Sequence, residues 1–301
     1  MKLKYWIYAA RFHTLPLSFS GITLSFLISK SRVNVNFNVY ILCVLTALLL
    51  QILANFSNDY GDSITGIDNF KRIGPKRTIQ SGFLSLLEMK KAIYLLSVLS
   101  FLSGFLLLYQ SIPFKKIFVF LFYFIGILVC IYSSIKYSIG PSPYGYIVGM
   151  GDLFVFIFFG LLSVEGSYFL YTQTLQMDMF LLSSSMGLLS VAVLNINNMR
   201  DLDNDCENGK YTMAGWLGIK RAKLYHMISI FTSVFLGGFF IFLNQKTIYQ
   251  WLIFILVVIF LIFHVKRIFF LKDKKLFNLE LKRLVLITFL YGLSIGISNF
   301  L

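Results

Sequence analysis

The sequence predicts an all-α integral membrane bundle of about nine transmembrane helices, and three observations carry that prediction. Over 301 residues the chain is 57% hydrophobic and 18% aromatic, and its mean hydropathy is +0.77, well beyond the apolar usage of a soluble domain. Its apolar residues are collected into runs of about 20, the length that crosses a bilayer as a helix. Backbone groups in lipid must be satisfied within their own segment, so such runs fold as helices.

The runs fall at roughly 12–29, 38–57, 90–111, 114–134, 151–170, 178–200, 222–243, 249–270 and 282–300. The first follows Lys2, Lys4 and Arg11 in the manner of a signal peptide, but no small-residue cleavage site follows Gly21, so it is expected to stay as the first helix. Lys30 and Arg32 close it, and the second run ends just before Asn58. Lys90 and Lys91 open the third, Lys115 and Lys116 stand at the start of the fourth, and Lys136 follows it. The fifth begins at Gly151-Asp152, and the sixth runs up to Arg200. Lys220 and Arg221 introduce the seventh, Lys246 separates it from the eighth, and a basic stretch from Lys266 to Arg283 leads into the ninth. One domain, 1–301, is expected, with a weak internal repeat of about 1–135 and 136–301, because an acidic patch recurs at the end of an even-numbered run in each half.

The net charge of +14 argues for topology rather than nucleic-acid binding, because the basic residues are scattered through short connections instead of lining one soluble face. With the N-terminus placed inside, only Lys30, Arg32, Lys115, Lys116 and Lys246 of the 27 Lys and Arg fall outside. That asymmetry predicts that the N-terminus and both acidic patches face the cytoplasm. Cys43, Cys130 and Cys206 have no metal-type spacing, and no disulfide framework is expected. No nucleic-acid partner and no obligate protein partner are inferred.

More than half of the 13 carboxylates are gathered into two patches: Asp59 and Asp62 with Asp68, and Asp201, Asp203 and Asp205 with Glu207. Asn58 and Asp62 are four residues apart, as are Asp201 and Asp205, so a helix projects each pair from one face. Crowded carboxylates repel and call for a cation. Mg²⁺ takes one or two carboxylates together with phosphate oxygens and water, so two opposed faces imply a diphosphate held between them. Arg72, Lys76, Arg77, Arg200 and Lys210 are spaced to neutralise the rest of that anion. A single Asp of this kind would serve as a helix cap or loop ion pair; two matching patches require more.

These residues also carry a resemblance. Asn58-Asp-Tyr-Gly-Asp62 with Gly74-Pro-Lys-Arg-Thr-Ile-Gln-Ser-Gly82, and Asn198-Met-Arg-Asp-Leu-Asp-Asn-Asp205 with Gly209-Lys-Tyr-Thr212, resemble the two aspartate-rich motifs of the UbiA-type membrane prenyltransferases. Ala10-Arg-Phe-His-Thr-Leu-Pro16, Gly140-Pro-Ser-Pro143 and the stretch from Gly149 to Gly160 are similar to the branch that acts on 1,4-dihydroxy-2-naphthoate. The likeness runs from about Ala10 to about Gly218 and fades beyond. It implies a central cavity open sideways to lipid, and Mg²⁺-dependent transfer of a polyprenyl group from polyprenyl diphosphate to the naphthoate, with loss of its carboxylate to give demethylmenaquinol. Carried over, the metal and diphosphate ligands are Asn58, Asp62, Asp201 and Asp205, with Asp59 and Asp68 accessory.

Rival readings stay open. Another aromatic acceptor is one (4-hydroxybenzoate, homogentisate or haem). A cation-coupled transporter is another, although it should bury its acids mid-span rather than at helix ends. A structural membrane protein leaves both patches unexplained. His13 is expected to anchor at the interface beside Arg11, with contact to an acceptor carboxylate as its alternative role, and Asp152 to sit at a helix N-terminus. Glu165 and Asp178 are expected to face water, and His226 and His264 to be isolated.

Overall fold

The computed structural model describes residues 2–69, 72–244 and 247–300. Lys246, placed outside by the charge pattern, and Lys71, one of the Lys placed inside, lie outside the described residues. Nine described helices are long and apolar enough to cross a membrane: α1 Leu3–Arg32, α2 Phe37–Ile64, α3 Leu86–Ser111, α4 Ile117–Lys136, α5 Met150–Thr172, α6 Met177–Glu207, α7 Met213–Asn244, α8 Ile248–Phe270 and α9 Lys274–Ser298. The chain is an integral membrane protein.

The helices outrun the apolar runs that announced them. α2 continues past Asn58 to Ile64, and α6 continues past Arg200 to Glu207, so both acidic patches are carried on helix rather than loop. Hydropathy marks only the stretch that lipid covers, and hydrogen-bonded backbone continues beyond it wherever the next residues pack. α1 is broken at Arg11, which takes the left-handed conformation (φ 53°, ψ 53°). α7 is broken at Gly218 (φ 70°, ψ 161°).

Side chains in lipid gain little by burial against one another, so close backbone approach does much of the packing. A Cβ on Gly160 would lie 2.5 Å from the Ser183 carbonyl oxygen, and one on Gly187 would lie 2.7 Å from the Phe156 ring. The glycines therefore let α5 seat directly on α6. α6 is the central helix, with neighbours α5, α7 and α9. α5 is wound in wider, π-type turns over Phe156–Gly166, a distortion that often accompanies function. α4 packs on α2 and α3, whereas α5 packs on α1 and α6. A cavity of about 380 Å³ lies between these two groups.

Several expectations need correction. Glu165 does not face water: it is 5% exposed, and its Oε1 accepts from the Gln176 backbone N–H at 3.2 Å. Asp178 is ion-paired with Arg32. His226 and His264 are not isolated, because their Nε2 atoms lie 3.1 Å apart in the core. His264 Nδ1 is 2.8 Å from Glu280 Oε2, so a buried chain of polar groups joins α7, α8 and α9. Position along a span gives depth in the membrane and says nothing of which side of the helix meets a neighbour. His13 is exposed, while Asp152 lies in the first turn of α5 and accepts from Tyr225 Oη at 3.2 Å.

Candidate active site

The ends of α2 and α6 open on one cavity, into which Asn58, Asp62, Asp201 and Asp205 all project. On α2 the four-residue spacing works as local geometry demands: Asn58 Nδ2 donates to Asp62 Oδ2 at 3.2 Å and to Ser138 Oγ at 2.9 Å. Gly61 permits that second contact. A Cβ there would sit 2.2 Å from the Ser138 carbonyl oxygen, so no larger residue lets the 137–139 segment approach.

Basic side chains tie the two patches together. Arg72 Nε is 3.2 Å from Asp68 Oδ1, and its Nη2 is 3.3 Å from Asp201 Oδ2. One guanidinium thus spans the loop after α2 and the end of α6. Arg200 Nε donates to Asp201 Oδ1 at 2.9 Å, and the Arg200 fork is fixed by Asn197 at 2.8 Å and Asn278 at 2.7 Å. Lys210 Nζ is 3.6 Å from Asp205 Oδ2 and 5.5 Å from the centre of the Tyr146 ring. Burial would disfavour its charge, but Asp62 and Asp205 outweigh that and hold the lysine above its ordinary range.

The cluster divides the predicted residues into two groups. Arg72, Arg77 and Lys210 line the cavity with the four motif residues. Asp59, Asp68 and Arg200 stand behind them. Asp59 is 1% exposed and is gripped by Arg11 at 2.5 Å and Arg77 at 3.3 Å. Burial pushes the Asp68 carboxyl up to about 6, against the pull of Arg77 and Arg72. Lys76 is exposed and takes no part in the lining.

Two participants had no sequence signal strong enough to select them. Arg11, left-handed at the break in α1, donates to Asn58 Oδ1 at 2.7 Å as well as to Asp59. Tyr146 Oη donates to Asp62 Oδ1 at 2.8 Å, and Tyr146 O accepts from the Tyr211 backbone N–H at 3.1 Å. Both reach the acids only through tertiary folding, although Arg11 falls in a stretch that the resemblance had marked.

The donor set is oxygen from carboxylate and amide, which suits a hard cation such as Mg²⁺. Asp205 Oδ2 and both Asp68 carboxylate oxygens are buried and accept no hydrogen bond, although Asp205 Oδ2 and Asp68 Oδ1 lie beside basic side chains. Among the described residues no three of His, Cys, Asp or Glu stand close enough to enclose a metal by themselves. An ion here would complete its shell with water and substrate oxygens, as Mg²⁺ prefers.

Below the acids the cavity lining is mostly apolar, with hydroxyls such as those of Thr46 and Ser163 among it. Phe158 and Leu162 of α5 face Ile127 and Cys130 of α4 across it. The acids thus lie at the end of the bundle, with the hydrocarbon-lined space beneath them. This placement disfavours the transporter reading, in which the acids lie mid-span.

Comparison with known proteins agrees with this architecture. Residues 18–286 match the UbiA prenyltransferase family. The chain is 43% identical over 230 residues to a 1,4-dihydroxy-2-naphthoate octaprenyltransferase of Haemophilus influenzae, covering 75% of this chain and 73% of the relative. It is 39% identical over 251 residues to the protein of the same name from Escherichia coli, covering 82% and 79%. Among solved structures, a UbiA homolog from Archaeoglobus fulgidus bound to DMAPP and Mg²⁺ superposes with a TM-score of 0.67 at 14% identity, over 98% of each chain. A UbiA homolog from Aeropyrum pernix K1 gives 0.67 at 16% identity, over 98% of each chain. The chain belongs to the UbiA prenyltransferase family.

Proposed function

We propose that this protein transfers a polyprenyl group from polyprenyl diphosphate to 1,4-dihydroxy-2-naphthoate, with decarboxylation to demethylmenaquinol, in an Mg²⁺-dependent reaction. The observation that carries this reading is the meeting of Asp62, Asp201 and Asp205 with Arg72, Arg77 and Lys210 at the mouth of one apolar cavity. The names of the relatives support the naphthoate as acceptor. The chain's many inward-predicted Lys and Arg support a cytoplasmic (inner) membrane location with this mouth on the cytoplasmic side.

In this reading Asp62, Asp201 and Asp205, with Asn58 beside them, would hold Mg²⁺ at the diphosphate end of the donor. Bound Mg²⁺ would supply charge to offset the departing diphosphate. Arg72, Arg77 and Lys210 are preplaced toward that same developing charge, so no reorganisation is needed as the allylic C–O bond ionises. Arg11, at the cavity wall, and Arg200, Asp59 and Asp68 behind it act as positioning residues. Phe154, Phe158 and Tyr137 border the cavity near the acids, where aromatic faces shelter the allylic cation until the electron-rich ring attacks it. The apolar walls keep water from that cation.

The experiment is to supply purified protein in lipid with Mg²⁺, octaprenyl diphosphate and each of 1,4-dihydroxy-2-naphthoate, 4-hydroxybenzoate and homogentisate, and to measure prenylated product and CO₂. Product and CO₂ with the naphthoate alone are expected. Prenylation of a different acid in preference to it would replace the acceptor assignment.

A further inference from the structure

Gln51 lines the cavity from α2, yet among the described residues it makes no hydrogen bond or ion pair. Other polar groups on the same wall are already committed. Asn55 Nδ2 donates to the Ala10 carbonyl at 2.9 Å, and Thr46 Oγ1 is 2.8 Å from Ser103 Oγ. Ser134 Oγ donates to the Cys130 carbonyl and Ser190 Oγ to the Met186 carbonyl, each at 2.8 Å. Gln51, Asn55, Asn58 and Asp62 follow one another at helical spacing on the face of α2 that meets the cavity. Gln51 therefore stands about 10 Å below Asn58 at 1.5 Å rise per residue, on a stretch of wall that α2 otherwise builds from Ala47, Leu50 and Ala54.

An amide left unpaired against apolar surface costs stability, so its place on this wall calls for a ligand that uses it. The donor offers nothing there: beyond the diphosphate, which belongs with the acids two helical turns away, a polyprenyl chain is hydrocarbon. The acceptor carries three polar groups. Its carboxylate is drawn to the mouth, where Arg11, Arg77 and Lys210 line the cavity, and its 1-hydroxyl, next to that carboxylate, hydrogen-bonds to it internally. The 4-hydroxyl lies across the ring and has no internal partner. With the carboxylate at the mouth, it is the polar group directed down the cavity.

We propose that Gln51 is a specificity-determining residue for the acceptor, its Oε1 accepting a hydrogen bond from the 4-hydroxyl of the bound dihydroxynaphthoate. The proposal rests on the acceptor reading given above. The contact selects a ring with a second hydroxyl para to the first, and a hydroxyl held in this way lends electron density to the ring that attacks the allylic cation. A site built to meet a hydroxyl rejects the analogue that lacks it, because the amide is then left unpaired.

The test compares the wild type with Gln51→Leu and Gln51→Met, which keep the bulk and remove the amide. 1-Hydroxy-2-naphthoate, which lacks the 4-hydroxyl, competes with 1,4-dihydroxy-2-naphthoate in the presence of Mg²⁺ and octaprenyl diphosphate. The readout is the ratio of Ki for the analogue to KM for the dihydroxy acid. The wild type is expected to give a ratio of about ten, the scale of one hydrogen bond to a buried group, and both variants a ratio within about twofold of one. KM for octaprenyl diphosphate should stay within about twofold of wild type, and Tm should not fall, since an apolar side chain suits the wall better than an unpaired amide. A wild-type ratio near one, a ratio that both variants retain, or loss of folded protein in both variants overturns the proposal. The two readings fail differently: a wild type that prenylates none of the candidate acids refutes the activity, whereas an active wild type with an unaltered ratio in the variants refutes only the role of Gln51.

Discussion

Arg11 holds Asn58 and Asp59 with the same Nη2 atom, at 2.7 and 2.5 Å, across a separation of 47 and 48 residues. The break in α1 thereby becomes a brace for the first acidic motif, fixing the Asn58 amide so that its nitrogen turns to Asp62. Lysine replaces the planar guanidinium with a tetrahedral ammonium on a different stem, so the two acceptors are not held in the same geometry. Arg11→Lys is expected to lower kcat/KM by about tenfold or more, equivalent to roughly 1.4 kcal/mol, with the protein still inserted and folded. Steady-state kinetics beside a thermal melt in detergent would check it, and wild-type kinetics would remove the brace from the mechanism.

The carboxylates that line the cavity should matter far more than the basic residue that misses it. Asp62→Ala and Asp205→Ala are each expected to cut turnover by about 10²–10³, the scale of losing a preplaced electrostatic group. Lys76→Ala, at an exposed position, should remain within about twofold of wild type, as surface changes usually do. Turnover measured at equal amounts of folded protein decides it, and active aspartate variants would reject the metal assignment.

Gly61 offers a test of packing rather than of charge. The added methyl of Gly61→Ala would stand 2.2 Å from the Ser138 carbonyl oxygen, so the 137–139 segment must retreat and the Asn58–Ser138 hydrogen bond must lengthen. Overpacking of this kind costs about 1–3 kcal/mol. A lowered Tm together with a loss of turnover is expected; a variant as stable and active as wild type would show that the close approach is dispensable.

Removal of divalent metal is expected to abolish the reaction. Chelator-treated protein should recover with Mg²⁺, in part with Mn²⁺, and poorly with Ca²⁺, whose larger shell and looser geometry suit a diphosphate held by few carboxylates less well. Full activity in excess chelator would refute metal dependence.

Much of this protein was legible in its linear order. Runs of about 20 apolar residues specify helices because lipid leaves the backbone no other partner, and the Asn58/Asp62 and Asp201/Asp205 spacings specify shared helix faces because the α-helix repeats every 3.6 residues. Both are local properties. What only the tertiary structure decided is which way each polar group turns and whom it meets. Asp59 looks equivalent to Asp62 in the sequence, yet it points into a guanidinium pair instead of the cavity. Tyr146 reaches Asp62 from 84 residues away. Lys76 and Arg77 are neighbours in sequence, but one is exposed and the other lines the site. The burial of Glu165 and the His226–His264 pair escapes the sequence for the same reason: hydropathy reports depth in the membrane, whereas partners are assigned by the packing of helices far apart in the chain.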